Sequence, residues 1–146
     1  MTTPNSMAGH QIRIKLGDGA TPTEAFTGTC MINMARAIEW DADVVETVIP
    51  GCSTDIGVAQ WVKRRVRSLS GTITGAGIFD ADDHDRWYTW WRSGAEKNIQ
   101  IDYLTGNGTY EGAAICKSYA KDAGDGFEEV TFKCTILTTG EWTFTP

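Results

Sequence analysis

Two histidines, four cysteines and several clustered acids are the side chains here whose types could do chemistry. His84 stands beside Asp83 and Asp85, an arrangement that can be drawn as an acid/base pair. Successive helical residues point in different directions, so the trio reads as helix surface or packing, and His10 has no partner nearby in sequence. Asp82, Asp83 and Asp85 lack the spacing of a calcium loop, and acids at a helix start are accounted for by its positive dipole end. Gly75, Ala76 and Gly77 precede a helix as in a phosphate cradle, but no third glycine or lysine follows and the acidic helix start repels phosphate. Asp122, Asp125 and Glu128 surround a turn, and Asn107, Gly108 and Thr109 form a glycosylation sequon in name only.

The cysteines Cys30, Cys52, Cys116 and Cys134 are scattered, without the close pairs of zinc or dithiol redox sites. Cys116 and Cys134 flank a turn signal at Gly124 to Gly126 and would face each other if that turn were symmetric about Asp125. Two buried free thiols are the expectation. No catalytic, metal-binding or cofactor-binding residue emerges, and no enzyme activity is expected.

The elements that would position any site follow from composition and periodicity. The chain has 146 residues, 41% hydrophobic and 22% charged, which fits one globular domain over 1–146. Thirteen Lys and Arg against nineteen Asp and Glu leave a net charge of −6, a poor balance for neutralising phosphates. Apolar runs are too short to cross a bilayer and the first ten residues lack an export signal, so a soluble chain made in a cytoplasm is expected.

Short alternating runs rich in Val, Ile, Thr and aromatic residues, separated by glycines, predict a mainly β, antiparallel fold. Ile12, Ile14 and Leu16 alternate with Arg13 and Lys15, and a second extended stretch runs from about Phe26 to Met34. Ala35 to Val48 alternates acids with apolar residues, and Pro50 to Asp55 makes a loop. Trp61 leads through Lys63, Arg64, Arg65 and Arg67 into a strand up to Gly75. Asp80 is the expected N-cap of a single helix at about 80–93, closed by Gly94. Trp87, Tyr88 and Trp91, widened by Trp90, give that helix an aromatic packing face. Strands follow at Asn98 to Tyr103, Tyr110 to Tyr119 and Val130 to Leu137. Residues 1–10 read as a mobile arm, 45–60 as a long inter-strand loop and 140–146 as a C-terminal arm.

The basic run has acids to meet. In a hairpin centred near Ser53, Glu39 faces Arg67, Asp41 faces Arg65 and Asp43 faces Lys63. Such a charge ladder would fix register at roughly 0.2 to 1 kcal/mol per pair. Pairing of the same residues between subunits is the rival, with nucleic-acid contact behind both.

The phrase from Gly17 to Thr27, the charged hairpin, the run from Arg67 to Gly75 leading to Phe79, Asp80 and one helix, and the closing Gly140, Glu141 and Trp142 resemble the major tail proteins of long flexible-tailed phages, also found as gene transfer agent tail tubes. The resemblance spans about residues 12–146. It implies an antiparallel β-sandwich or partial barrel with one flanking helix, assembling as hexameric rings that stack into a hollow tube in a virion tail, put together in the bacterial host cytoplasm. DNA would pass through the lumen without specific binding, and tape measure, distal tail and terminator proteins would be the other partners. Candidate lumen-facing residues are Ser68, Ser70, Thr72 and Thr74, or Asn98, Gln100 and Asp102, or Glu129, Thr131 and Lys133. The rival reading is a monomeric β-sandwich binding carbohydrate or a receptor through its six tryptophans, with a carboxylate hydrolase third.

Overall fold

The computed structural model describes residues 3, 6–19, 24–28, 32–49, 57, 59–104 and 106–146. Among these, seven strands and one α-helix follow in order: β1 (Ile12–Gly17), β2 (Phe26–Gly28), β3 (Ala35–Val48), β4 (Val62–Ile78), α1 (His84–Ser93), β5 (Lys97–Tyr103), β6 (Thr109–Asp122) and β7 (Thr131–Thr145). All seven join one antiparallel sheet in the order β2-β1-β5-β6-β7-β4-β3. The expected sandwich or partial barrel is therefore a single open sheet whose ends do not meet.

Alternation decides its faces. Ile14 and Leu16, Ile99 and Ile101, Ile73, and Phe132, Cys134 and Ile136 all point to one side, where they form a continuous buried cluster with Trp87 and Trp90 of α1. The other side carries the intervening polar residues. Trp87 packs on Phe132 with ring centroids 5.2 Å apart, and Phe132 on Tyr119 at 6.1 Å, so the helix sits over β6 and β7. Residues three apart on a helix share a face, which is why Trp87 and Trp90 enter the core together. Tyr88 and Trp91 lie half-exposed at its margin, correcting the stripe read from sequence.

Other boundaries also differ. Asp80 does not cap α1: its carboxylate accepts from Asp82 N at 3.0 Å and its carbonyl from Asp83 N at 3.2 Å, closing a turn, and Asp83 is the N-cap residue. Gly94 ends the helix as expected, with φ 63° and its N–H donating to Trp90 O. Of the stretch Phe26 to Met34 only Phe26–Gly28 is strand among the described residues. The loop expected over 45–60 is shorter, because β3 continues to Val48 and β4 begins at Val62; the turn residues Pro50 to Asp55 lie outside the described residues. Residues 140–145 are no arm: β7 runs on through them, with Tyr110 opposite Phe144 and Thr109 opposite Thr145. Of residues 1–10, Gly9 begins a short 3-10 turn and its carbonyl accepts from Arg36 Nη1 at 2.5 Å.

Cys116 and Cys134 are buried free thiols, as expected. The turn is not centred on Asp125, since Asp122 pairs with Thr131, and a bulge at Lys117 shifts the register further, placing Cys116 opposite Ile136 and Cys134 opposite Tyr119. Burial pushes the Cys116 thiol up to about 11 and the Cys134 thiol up to about 12. Cys30 and Cys52 lie outside the described residues.

Two outcomes follow. In chemical denaturation Trp87→Ala costs about 3–5 kcal/mol, whereas Trp91→Ala costs under about 1 kcal/mol. In a chain with Cys30 and Cys52 changed to Ser, Cys116 and Cys134 resist an aromatic disulfide reagent at pH 8 while folded and react once unfolded. Between pH 9 and about 12 the unfolded chain loses these thiol protons first, so their contribution disfavours the fold as pH rises through that window.

Candidate functional site

Hydrophobic cores end where side chains run out of partners, and on β3 and β4 that happens midway along the strands. The inner part of β4 alternates buried Gly71, Ile73, Gly75 and Gly77 with more open residues, but every residue from Val62 to Ser70 is exposed, as are those from Asp43 to Val48. The two strands leave the body as a hairpin arm.

Its register runs Ile38↔Ile73, Trp40↔Gly71, Ala42↔Leu69, Val44↔Val66, Glu46↔Arg64 and Val48↔Val62. Cross-strand partners share a face, so this set extends the core face beyond the core. It is apolar apart from one ion pair, Arg64 Nε to Glu46 Oε1 at 2.9 Å, and Leu69 is 79% exposed on it. The reverse face carries Glu39, Asp41, Asp43, Ser68, Ser70 and Thr72 near the body, then Val45, Arg65, Thr47 and Lys63.

The expected charge ladder does not form. Glu39 lies opposite Thr72, Asp41 opposite Ser70, Asp43 opposite Ser68, Arg65 opposite Val45 and Lys63 opposite Thr47. A bulge leaves Arg67 without a strand partner, and its guanidinium turns back to Asp43, with Nε 2.8 Å from Oδ2. Apolar matching and one glycine outweigh the charges here. The Trp40 ring covers Gly71, where a Cβ would come 2.6 Å from it, and Gly71 N donates to Thr138 Oγ1 at 2.8 Å. Slipping the hairpin to align acids with bases would drive Trp40 off Gly71, and exposed pairs are worth little.

At the root of the arm, Trp40 meets Tyr110 at 5.8 Å and Trp142 at 5.6 Å between centroids. Trp40 belongs to β3 and Tyr110 to β6, with β7 and β4 between them in the sheet, so the sheet must curl toward its core side here. Trp142 lies over Gly112 at a bulge and donates Nε1–H to Ala113 O at 2.9 Å. Past Leu137 β7 no longer pairs with β4, which opens a groove of about 540 Å³ between the arm and the end of β7. Trp40, Leu69, Tyr110 and Trp142 form its apolar lining, and Asp41 and Glu141 are its acids.

The three candidate lumen sets come together on one surface. Ser68, Ser70, Thr72 and Thr74 of β4, Asn98, Gln100 and Asp102 of β5, and Thr131 and Lys133 of β7 all project from the side opposite the core; Glu129 is exposed just ahead of β7. On that side Lys15 Nζ pairs with Asp102 Oδ2 at 3.1 Å. His84 has Nδ1 2.6 Å from Ala81 O and its ring 5.5 Å from that of Phe79, and, against the expectation that neighbouring helical side chains diverge, its Nε2 lies 3.0 Å from the exposed Asp85 Oδ1. Among the described residues, no three His, Cys, Asp or Glu side chains gather to hold a metal.

Sequence alone puts Trp40 on an ordinary strand face and Trp142 in an arm; only the curl of the sheet brings them, with Leu69, to one groove.

A family profile described as Phage tail tube protein matches residues 6–144. A search of curated proteins gives no match. Among solved structures, a chain from the virion of a native gene transfer agent particle is 22% identical with TM-score 0.72, covering 97% of this chain and 100% of its own. A chain from the tail of an empty such particle, computed with helical refinement and C6 symmetry, is 23% identical with TM-score 0.73 and the same coverage. The SPP1 tail tube is 11% identical with TM-score 0.61, covering 95% of this chain and 78% of its own. These likenesses establish a shared fold.

The observed register is open to direct test. Replacing Glu39 or Asp41 by its amide leaves the unfolding midpoint essentially unmoved, whereas Gly71→Val forces a side chain into the Trp40 ring and costs about 1–3 kcal/mol in urea titrations.

Proposed function

The chain belongs to the phage tail tube protein family, and we propose that it works as the ring-forming subunit of a hollow tail conduit, six copies per ring and rings stacked end to end. It is a structural component of a virion tail and not an enzyme. The observation that carries the ring reading is an open sheet with uncovered ends. β3 is an edge strand of 14 residues whose outer side pairs with no described strand, and at the other end β2 protects only Lys15 to Gly17 of β1.

A long, exposed edge recruits other strands, so a solitary copy of this sheet is a poor final state. Sibling sheets placed edge to edge satisfy both ends, and sixfold closure removes every edge.

The polar surface opposite the core supports a role as the tube's inner wall. It mixes Arg13, Lys15 and Lys133 with Asp102 and Glu111 on a chain of net charge −6, so cations on it stand among acids. DNA then slides past without a continuous basic track to hold it. Tape measure, distal tail and terminator proteins complete the partners of the tube, and assembly takes place in the bacterial host cytoplasm.

Solitary sugar binding has less support. Trp87 and Trp90 are buried and Trp40 and Trp142 pack against each other, leaving no row of open tryptophan faces.

Negative-stain imaging of the purified chain, alone and with tail partner proteins, is expected to show rings or tubes of uniform diameter, and gel-shift assays no DNA retention even at low salt. A monomer that persists at high concentration with those partners present overturns the reading.

A further inference from the structure

Within a single copy, one side chain ties the two ends of the sheet together. β3 closes the strand order at one end and β1 lies next to the other, and no described strand pairing links them. Arg36 of β3 nonetheless donates from Nη1 to the carbonyl of Gly9, three residues ahead of β1. That carbonyl also accepts from Ile12 N, so one oxygen joins the first residue of β1 to the strand at the opposite end. The turn is itself fastened, with Gln11 N donating to Ala8 O at 3.0 Å and Leu104 N to Gln11 O at 2.8 Å. Arg36 lies opposite Gly75 and alternates in step with Ile38 and Trp40, so the brace crosses the side toward which the sheet curls. The guanidinium is poorly matched to its partner. Arg36 pairs with no described carboxylate, and its Nε is buried without an acceptor. A neutral carbonyl holds a charge less firmly than a carboxylate does, and a buried donor left unpaired carries a cost. The contact is one that can be given up.

Ring formation asks the opposite of this brace. Copies joined edge to edge on both sides need the two ends of each sheet turned outward to their siblings, whereas a strut between the ends holds them toward each other across the core. Resting on the ring-forming reading above, we propose that the Arg36–Gly9 contact is a built-in restraint, holding the free copy in a curled form that associates poorly and opening as copies join. Opening frees the turn ahead of β1 together with the start of that strand, whose edge β2 leaves unpaired from Ile12 to Ile14. The form competent to join is then a minor state of the free copy, and association draws it out.

The test compares three full-length variants with the wild-type chain. Arg36→Met keeps the aliphatic stem and removes every donor, Arg36→Gln is a second uncharged replacement, and Arg36→Lys keeps the charge and a donor. Circular dichroism and thermal midpoints verify that each folds. Hydrogen exchange is read on the free chain, below the concentration at which it assembles, and assembly is followed by sedimentation and imaging. In Arg36→Met and Arg36→Gln the amides of Gln11, Ile12 and Leu104 are expected to exchange about tenfold faster while that of Ile136 in the core keeps its rate, and rings form at a concentration lower by about threefold or more. Arg36→Lys stays near wild type in both measurements. Unchanged exchange at the three amides overturns the brace. Faster exchange with rings appearing only at the wild-type concentration or above overturns the restraint and leaves the ring reading standing. Rings from the uncharged variants but not from wild type support both, and no rings from any chain overturns both.

Discussion

An open sheet has two faces and two edges, and a ten-residue helix can cover only a fraction of one face. That shortage of covering surface governs the rest of the structure. Where α1 lies, Trp87, Phe132, Ile73 and Ile136 are removed from water and form a packed core. Where it does not reach, the sheet curls until aromatic residues from β3, β6 and β7 shield one another. Farther out on the β3 and β4 arm, Leu69, Val66, Val44 and Val48 continue the core face and are exposed. Exposed apolar area of this kind, contiguous and patterned, marks a contact surface.

Glycine makes the curl possible. Three aromatic rings lie flat over glycines whose added Cβ would collide with them: Trp40 over Gly71, Trp142 over Gly112 and Phe144 over Gly108. Each pair trades strand propensity for a close seat, and the ring repays it by shielding backbone hydrogen bonds on both sides. Two of the three glycines also coincide with departures from regular pairing. Gly112 pairs with Ile99 of β5 but has no β7 partner at a bulge, and Gly108 sits at a positive φ of 103° in the connection ahead of β6. The result is a sheet bent at defined places, with strong aromatic contacts marking the bends.

Charge plays a different part. Exposed ion pairs on the arm, Arg64 with Glu46 and Arg67 with Asp43, adapt to a register already chosen by Ile38 with Ile73 and Trp40 with Gly71. Even half-buried, as Trp40 is at 46% exposure, a tryptophan held against Tyr110 and Trp142 outweighs solvent-exposed pairs worth little each.

Local periodicity fixed much of this molecule in advance. The alternation of Ile38, Trp40, Ala42 and Val44 with Glu39, Asp41 and Asp43, that of Phe132, Cys134 and Ile136, and a helix closed by Gly94 were all legible, because each depends on neighbours a few positions away. The family resemblance was legible for a similar reason, through short phrases in a preserved order. What the sequence could not supply was everything that depends on long-range register: that β7 runs through to Thr145, that bulges at Lys117 and Arg67 shift the pairing, and that Trp40 meets Trp142. Those depend on which of several comparable strand pairings buries more aromatic surface, a comparison made only when distant strands are brought together, so the tertiary structure alone decided where the groove lies and what the arm lacks.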